Sequence, residues 1–98
     1  LTEGVLQAYN FGPFAVVQES QISIWPNPVI SQLYLKMDFA PLEAIPYQIF
    51  DVYGRLQTQQ VLTLENTSIP MLHYAAGTYV LRLLFPNQLP VSFKLIKL

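Results

Sequence analysis

The sequence contains no cysteine, one histidine, four glycines and few charges. Without cysteine there is no disulfide, no thiolate nucleophile and no cysteine-ligated zinc, and cysteine usage leaves the redox compartment open. No apolar run approaches the roughly 18 residues that a membrane-crossing helix needs, so no transmembrane segment is expected. Charged residues make up 11% of the chain, under half of the roughly 25% usual in soluble domains. Five Lys and Arg, scattered along 98 residues, form no phosphate-tracking patch, which argues against a nucleic-acid partner. The four glycines are unclustered and build no phosphate-cradling loop. Helical patterning is missing too. Eight prolines, at 13, 26, 28, 41, 46, 70, 86 and 90, leave no uninterrupted window with the spacing of an amphipathic helix.

What remains is a compact, apolar, strand-forming chain. A hydrophobic content of 52% with a net charge of −1 excludes disorder. A mass of 11.2 kDa fits one domain, and folding a chain of this size hides about 65% of its extended surface. Period-two patterning is plain in Gln32 to Phe39, where Leu33, Leu35, Met37 and Phe39 face one way and Gln32, Tyr34, Lys36 and Asp38 the other. In Gly77 to Phe85, Tyr79, Leu81, Leu83 and Phe85 share a face, and Thr78, Val80, Arg82 and Leu84 on the other predict a central strand covered on much of both sides. Tyr47 to Tyr53 and Arg55 to Leu64 read as a hairpin turning at Tyr53-Gly54. Ser68 to Met71 is a short strand placed at an edge by Pro70, and Val91 to Leu98 follows a turn at Pro86-Asn87-Gln88. Gln21 to Trp25 alternates until Pro26-Asn27-Pro28 stops it. About seven short strands with Gly and Pro punctuation predict an all-β fold, a single immunoglobulin-like antiparallel β-sandwich.

Residues 1–19 differ, with a turn-rich break at Asn10-Phe11-Gly12-Pro13 and a weak strand pattern over Leu1 to Tyr9. They read as a connector, or the end of a preceding region, to a domain spanning 20–98. The start at Leu1, with no basic segment before an apolar one, reads as a piece of something longer.

The ionisable inventory supports no catalysis. His73, the one available imidazole, lies in Met71-Leu72-His73-Tyr74 before a turn and reads as a partly exposed turn residue. One His among scattered carboxylates gives no metal-ligand spacing, so neither a metal nor a cofactor is expected. Asp38 and Glu43 read as solvated rather than as a catalytic carboxylate pair. Asn66-Thr67-Ser68 fits the N-glycosylation pattern but reads as a surface turn. Trp25, Tyr34, Tyr47, Tyr53, Tyr74 and Tyr79 suggest a sugar platform or, more simply, the core and rim of a thin sandwich. No enzyme activity is expected of this domain.

One ordered series is more specific. From Ile22 the chain runs Ile-Ser-Ile-Trp-Pro-Asn-Pro-Val, then Gln-Leu-Tyr-Leu-Lys, then Tyr-Gln-Ile-Phe-Asp-Val-Tyr-Gly-Arg-Leu. Ala-Ala-Gly-Thr-Tyr-Val-Leu-Arg-Leu follows, and the chain ends Phe-Lys-Leu-Ile-Lys-Leu. Over residues 20–98 this resembles the C-terminal sorting domain of proteins exported by the type IX secretion system of Bacteroidetes. In that resemblance the Pro-x-Pro element falls on Pro26, Asn27 and Pro28, and the Asp-containing hairpin on Asp51, Gly54 and Arg55. The Gly-x-Tyr element falls on Gly77, Thr78 and Tyr79 with the basic residue at Arg82, and the terminal Lys-rich strand on Lys94, Leu95, Ile96, Lys97 and Leu98. Leu1-Thr2-Glu3-Gly4 is similar to a segment often found before such domains, with Glu3 where Gln is more usual. Trp25 departs from the Tyr or other residue common at its position.

The resemblance implies a folded export address. Its partners would be the outer-membrane translocon and shuttle components, with a sortase-like enzyme removing the domain in much of the family and joining the cargo to anionic lipopolysaccharide. The localisation implied is periplasm in transit, then cell surface or medium. Cleavage would fall in the connector, near Phe14 to Gln21. Pro26, Asn27, Pro28, Asp51, Gly54, Arg55, Gly77, Tyr79 and Arg82 are expected to build the fold, whereas Lys94 to Leu98, a strand with free edge donors and acceptors, are candidates for direct recognition by strand addition or by docking. The structural reading of Lys94 and Lys97 is that both solubilise a last strand. The competing functional class is an immunoglobulin-like accessory module that binds a glycan or protein partner.

Overall fold

The computed structural model describes residues 16–98. Seven strands follow one another: β1 (Ile22–Trp25), β2 (Gln32–Met37), β3 (Ile45–Asp51), β4 (Leu56–Leu62), β5 (Asn66–Pro70), β6 (Gly77–Leu83) and β7 (Val91–Lys97). They form two antiparallel sheets, β1-β2-β5 and β4-β3-β6-β7, so the chain crosses between layers after β2, β4 and β5. That order is an immunoglobulin-like sandwich, as the punctuated strand pattern predicts. A 3-10 turn, Glu19–Gln21, leads into β1, and the weak strand pattern over Leu1 to Tyr9 and the break at Asn10-Phe11-Gly12-Pro13 lie outside the described residues.

The period-two pattern decides which side chains enter the core. Leu33, Leu35 and Met37 of β2, Ile45, Tyr47 and Ile49 of β3, Tyr79, Leu81 and Leu83 of β6 and Leu95 of β7 point between the sheets and are buried. Val29, Leu62, Ile69 and Met71 join the cluster, with Ile22, Tyr74, Phe85 and Val91. Each such aliphatic side chain stabilises the fold by about 1.5–3 kcal/mol relative to exposure. Phe39 and Phe85 sit just beyond the ends of β2 and β6, with ring centroids 6.2 Å apart, and close one end of the core.

Some expectations change and others hold. The Asn66-Thr67-Ser68 pattern is the start of β5 and not a surface turn, because Thr67 and Ser68 pair with Leu35 and Tyr34. Pro70 does sit at an edge, as the last residue of β5. Strand β6 is central, but among the described residues no third layer covers its outer face, and Thr78, Val80 and Arg82 there are half-buried among their neighbours. The aromatics divide: Tyr47, Tyr74 and Tyr79 are buried, whereas Trp25, Tyr34 and Tyr53 are exposed.

Candidate functional site

Three groups of motif residues lie at one end of the sandwich, where β1 meets β2, β3 meets β4 and β5 meets β6. At the β3–β4 turn the Asp51 carboxylate accepts from the Tyr53 amide at 2.9 Å, the Arg55 amide at 2.9 Å and Arg55 Nε at 2.7 Å. Gly54 takes φ 80°, a left-handed conformation that L side chains resist. Burial pulls the Asp51 pKa upward, but hydrogen bonds from the Arg55 amide and side chain and the Tyr53 amide, with the Arg55 charge, outweigh it and leave the value lowered. The carboxylate, 12% exposed, is committed to its own turn.

At the β5–β6 corner the Tyr79 hydroxyl donates to the Ala75 carbonyl at 2.7 Å. A tyrosine early in this strand, bonded back to the corner backbone, is the tyrosine corner of immunoglobulin-like sandwiches. Its ring stacks on Tyr74, centroids 5.2 Å apart, and the Tyr74 hydroxyl is hydrogen-bonded to Thr58 Oγ1. Gly77, at φ 155°, lets the chain leave the corner for β6. Burial, and after it the neighbouring Tyr74, pushes the Tyr47 phenol above its ordinary value. His73 is exposed in the adjoining turn, with its ring centroid 4.4 Å from that of Tyr74.

The third group contains the terminal strand. Pro26 and Pro28 each follow a cis peptide bond, and between them Asn27 turns its side chain onto the outer edge of β7. Asn27 Nδ2 donates to the Lys94 carbonyl at 2.8 Å, and Asn27 Oδ1 accepts from the Ile96 amide at 2.9 Å. The carboxamide thus imitates a peptide group of a neighbouring strand. Two residues on, the Val29 amide donates to the Ile96 carbonyl at 2.8 Å and the Leu98 amide donates to the Val29 carbonyl at 3.0 Å, as a short parallel bridge. From the Lys94 carbonyl to the Leu98 amide, the outward groups of this edge are therefore all bonded. The expected free edge over Lys94 to Leu98 is corrected: the Pro-Asn-Pro element seals it. The signal was a polar residue between two prolines that carry no donor of their own.

The pleat then separates the five terminal residues. Leu95 and Lys97 point inward and are buried, and Lys97 Nζ donates to the Leu98 carbonyl at 2.7 Å. Lys97 therefore does not solubilise the strand. Lys94, Ile96 and Leu98 face solvent. Across the sheet Lys94 lies opposite Val80, which lies opposite Phe50, and Arg82 holds its guanidinium carbon 5.5 Å from the Phe50 ring centroid. Arg82 is thus on the same outer face as Lys94, a relation that distant sequence positions do not reveal.

Elsewhere the surface offers less. Exposed Trp25 and Tyr34 pair across β1 and β2 with ring centroids 5.9 Å apart. At the other end of the sandwich a cleft of about 390 Å³ is lined mainly by apolar residues, among them Val17, Phe39, Ile45 and Phe85. There the Gln88 side chain grips the connector, accepting from the Val17 amide at 2.8 Å and donating to the Val17 carbonyl at 3.1 Å. Among the described residues no group of three or more His, Cys, Asp or Glu is placed to hold a metal. None of the helical segments described is long and apolar enough to cross a membrane.

The fold is an immunoglobulin-like sandwich in which a Pro-Asn-Pro element clasps the outer edge of β7. The sequence model of the secretion system C-terminal sorting domain matches residues 23–97, and the chain belongs to that family. No curated protein matches. Among solved structures the chain is similar to PorZ, an essential bacterial surface component of the type-IX secretion system of Porphyromonas gingivalis, with TM-score 0.63 and 17% identity. The likeness covers 88% of this chain and 13% of PorZ, and at that identity it speaks for the fold.

Proposed function

We propose that this domain is a non-catalytic export address that directs its parent protein across the outer membrane by the type IX system, where translocon and shuttle components read it. Family membership over residues 23–97 carries this reading. The likeness of fold to PorZ is consistent with it. Within the domain, Lys94 to Leu98 are the recognition element, presented through the outward side chains of Lys94, Ile96 and Leu98, since their backbone edge is bonded to Asn27 and Val29. Pro26, Asn27, Pro28, Asp51, Gly54, Arg55, Gly77 and Tyr79 act by building and holding that presentation.

Where the domain is removed by a sortase-like enzyme, the scissile bond lies in the connector. Phe14 and Ala15 fall outside the described residues, Val16 is exposed, and Val17 is held by Gln88. Cleavage upstream of Val17 would leave the folded body untouched. A second reading, an accessory module that binds a glycan, is favoured by the exposed Trp25–Tyr34 pair, because a sugar ring stacks on such faces.

The deciding experiment fuses the full chain to a periplasm-directed fluorescent reporter in a bacterium with the type IX system, beside a copy lacking Lys94 to Leu98. Fluorescence at the surface or in the medium for the intact fusion alone supports the address. Retention of both in the periplasm, with the intact domain folded, refutes it and turns attention to glycan binding.

A further inference from the structure

The outer face of the four-stranded sheet combines three features. First, it carries an apolar strip: Leu56, Phe50 and Val80 lie opposite one another across β4, β3 and β6, with Lys94 of β7 opposite Val80 at its end and Thr78 opposite Ile96 alongside. Ile96 is 38% exposed and Leu56 49%. Second, its charges have one sign. Arg82 and Lys94 are diagonal neighbours, since Val80 pairs with Lys94 and Arg82 with Ser92. The described carboxylates lie elsewhere: Glu19, Asp38, Glu43 and Glu65 precede or follow strands, and Asp51 is bonded within its turn. The only ion pair among the described residues is Arg55 with Asp51. Third, the edge beside this face is closed, so a partner reading the end of β7 meets side chains.

Resting on the export reading above, we infer that this face, centred on Phe50, Val80 and Ile96, docks a protein surface of the export machinery in which carboxylates flank an apolar patch. Arg82 suits this task, because contact with Phe50 limits where its planar guanidinium can lie, and an ordered fork loses less entropy on binding a carboxylate. Arginine beside aromatic and aliphatic side chains is the usual make-up of energetic hot spots at interfaces. Two like charges at the rim of an apolar strip also reject cationic surfaces, which supplies specificity.

The test uses the full chain fused to the periplasm-directed reporter. The double variant Arg82→Glu, Lys94→Glu is compared with Arg82→Lys, Lys94→Arg and with Lys36→Glu on the other sheet, each checked for folding by its melting curve. Charge reversal is expected to lower export about tenfold or more, the charge-conserving pair, which loses the planar fork of Arg82, to lower it by less than that, and the Lys36 variant to stay near the parent. A photo-crosslinking residue at Val80 is expected to give an adduct with a machinery component that the charge-reversed chain loses, and one at Tyr34 none. If the parent fusion is exported and the folded charge-reversed fusion is exported equally, the docking face is wrong and the export reading stands. Adducts from Tyr34 alone would move the interface to the other sheet. If the parent fusion itself is not exported, the export reading fails and this face falls with it.

Discussion

Replacing Asn27 by alanine tests whether a side-chain amide holds the terminal strand in place. The substitution removes the donor to the Lys94 carbonyl and the acceptor for the Ile96 amide. A hydrogen bond of this kind contributes about 0.5–1.5 kcal/mol net. Because Asn27 is exposed, water replaces part of what is lost, and the expected destabilisation is about 1–2 kcal/mol. For a domain of this size that lowers the melting temperature by about 5–10 °C. Hydrogen exchange gives the local readout: the Ile96 amide should exchange faster, while amides of β3 and β6 in the sheet interior change only with global stability. Asn27→Asp refines the test, since it keeps the acceptor but sets a carboxylate against the Lys94 carbonyl. It should cost at least as much as alanine near neutral pH, and its deficit should narrow in acid, where a protonated carboxyl donates again. Unchanged melting together with unchanged exchange at Ile96 would refute the idea that Asn27 holds β7.

Tyr79→Phe keeps the ring stacked on Tyr74 but removes the donor to the Ala75 carbonyl, and a loss of about 1–2 kcal/mol is expected in urea titration. Asp51→Asn should change the pH profile of stability. Because the Asp51 pKa is lowered on folding, its contribution is present in full above the ordinary value of 3.8 and is lost as pH falls through the lower folded value. The variant's deficit should therefore be constant near neutrality and shrink in that acid range, as read by melting across pH. Gly54→Ala meets no atom within 4 Å, so only the positive φ opposes it, and a loss of about 1 kcal/mol is expected from chemical denaturation. Gln88→Ala should leave the core intact but release Val17, seen as faster protease cutting near the connector at an almost unchanged melting temperature.

The strands were legible where alternation was strict. Leu33, Leu35 and Met37, like Tyr79, Leu81 and Leu83, enter the core in the predicted phase, because a one-residue slip would turn every such side chain outward. Pro70 marked an edge, and Gly54 a turn, through local chemistry that needs no tertiary context. Strand ends were less legible: the alternation continues through Phe39 and Phe85, yet pairing stops at Met37 and Leu83, where the chain turns away to cap the core. A polar residue between two prolines was the one signal for the sealed edge, and which strand it seals was not legible. Asn27 and Ile96 are 69 positions apart, and no periodicity connects a carboxamide to the strand it completes. The burial of Lys97 follows from the same ignorance, since in sequence Lys94 and Lys97 look alike, and only the pleat divides them.

The closed edge bears on how a folded address can be read. A strand at the rim of a sheet, with its amides and carbonyls free, pairs with any extended chain it meets, and a signal carried by many different proteins would expose each of them to that hazard. Here the Lys94 to Leu98 edge is occupied by one side chain and one residue of backbone, which leaves no room for a strand to add without displacing Asn27 and Val29. Displacement would sacrifice four hydrogen bonds to make a similar number, so main-chain exchange offers little net gain. Side chains offer more. Lys94 and Ile96 already face solvent on a strand paired along its length with β6, and a partner need reorganise nothing in this domain to contact them. On the export reading, the arrangement favours docking on a preformed face over strand addition and predicts that recognition needs the clasp: Asn27→Ala should weaken export by loosening the strand, while leaving Lys94 and Ile96 in the chain. Export of that variant at the parent level, despite faster exchange at Ile96, would show that the machinery reads the terminal residues as an extended peptide and not as part of a sheet.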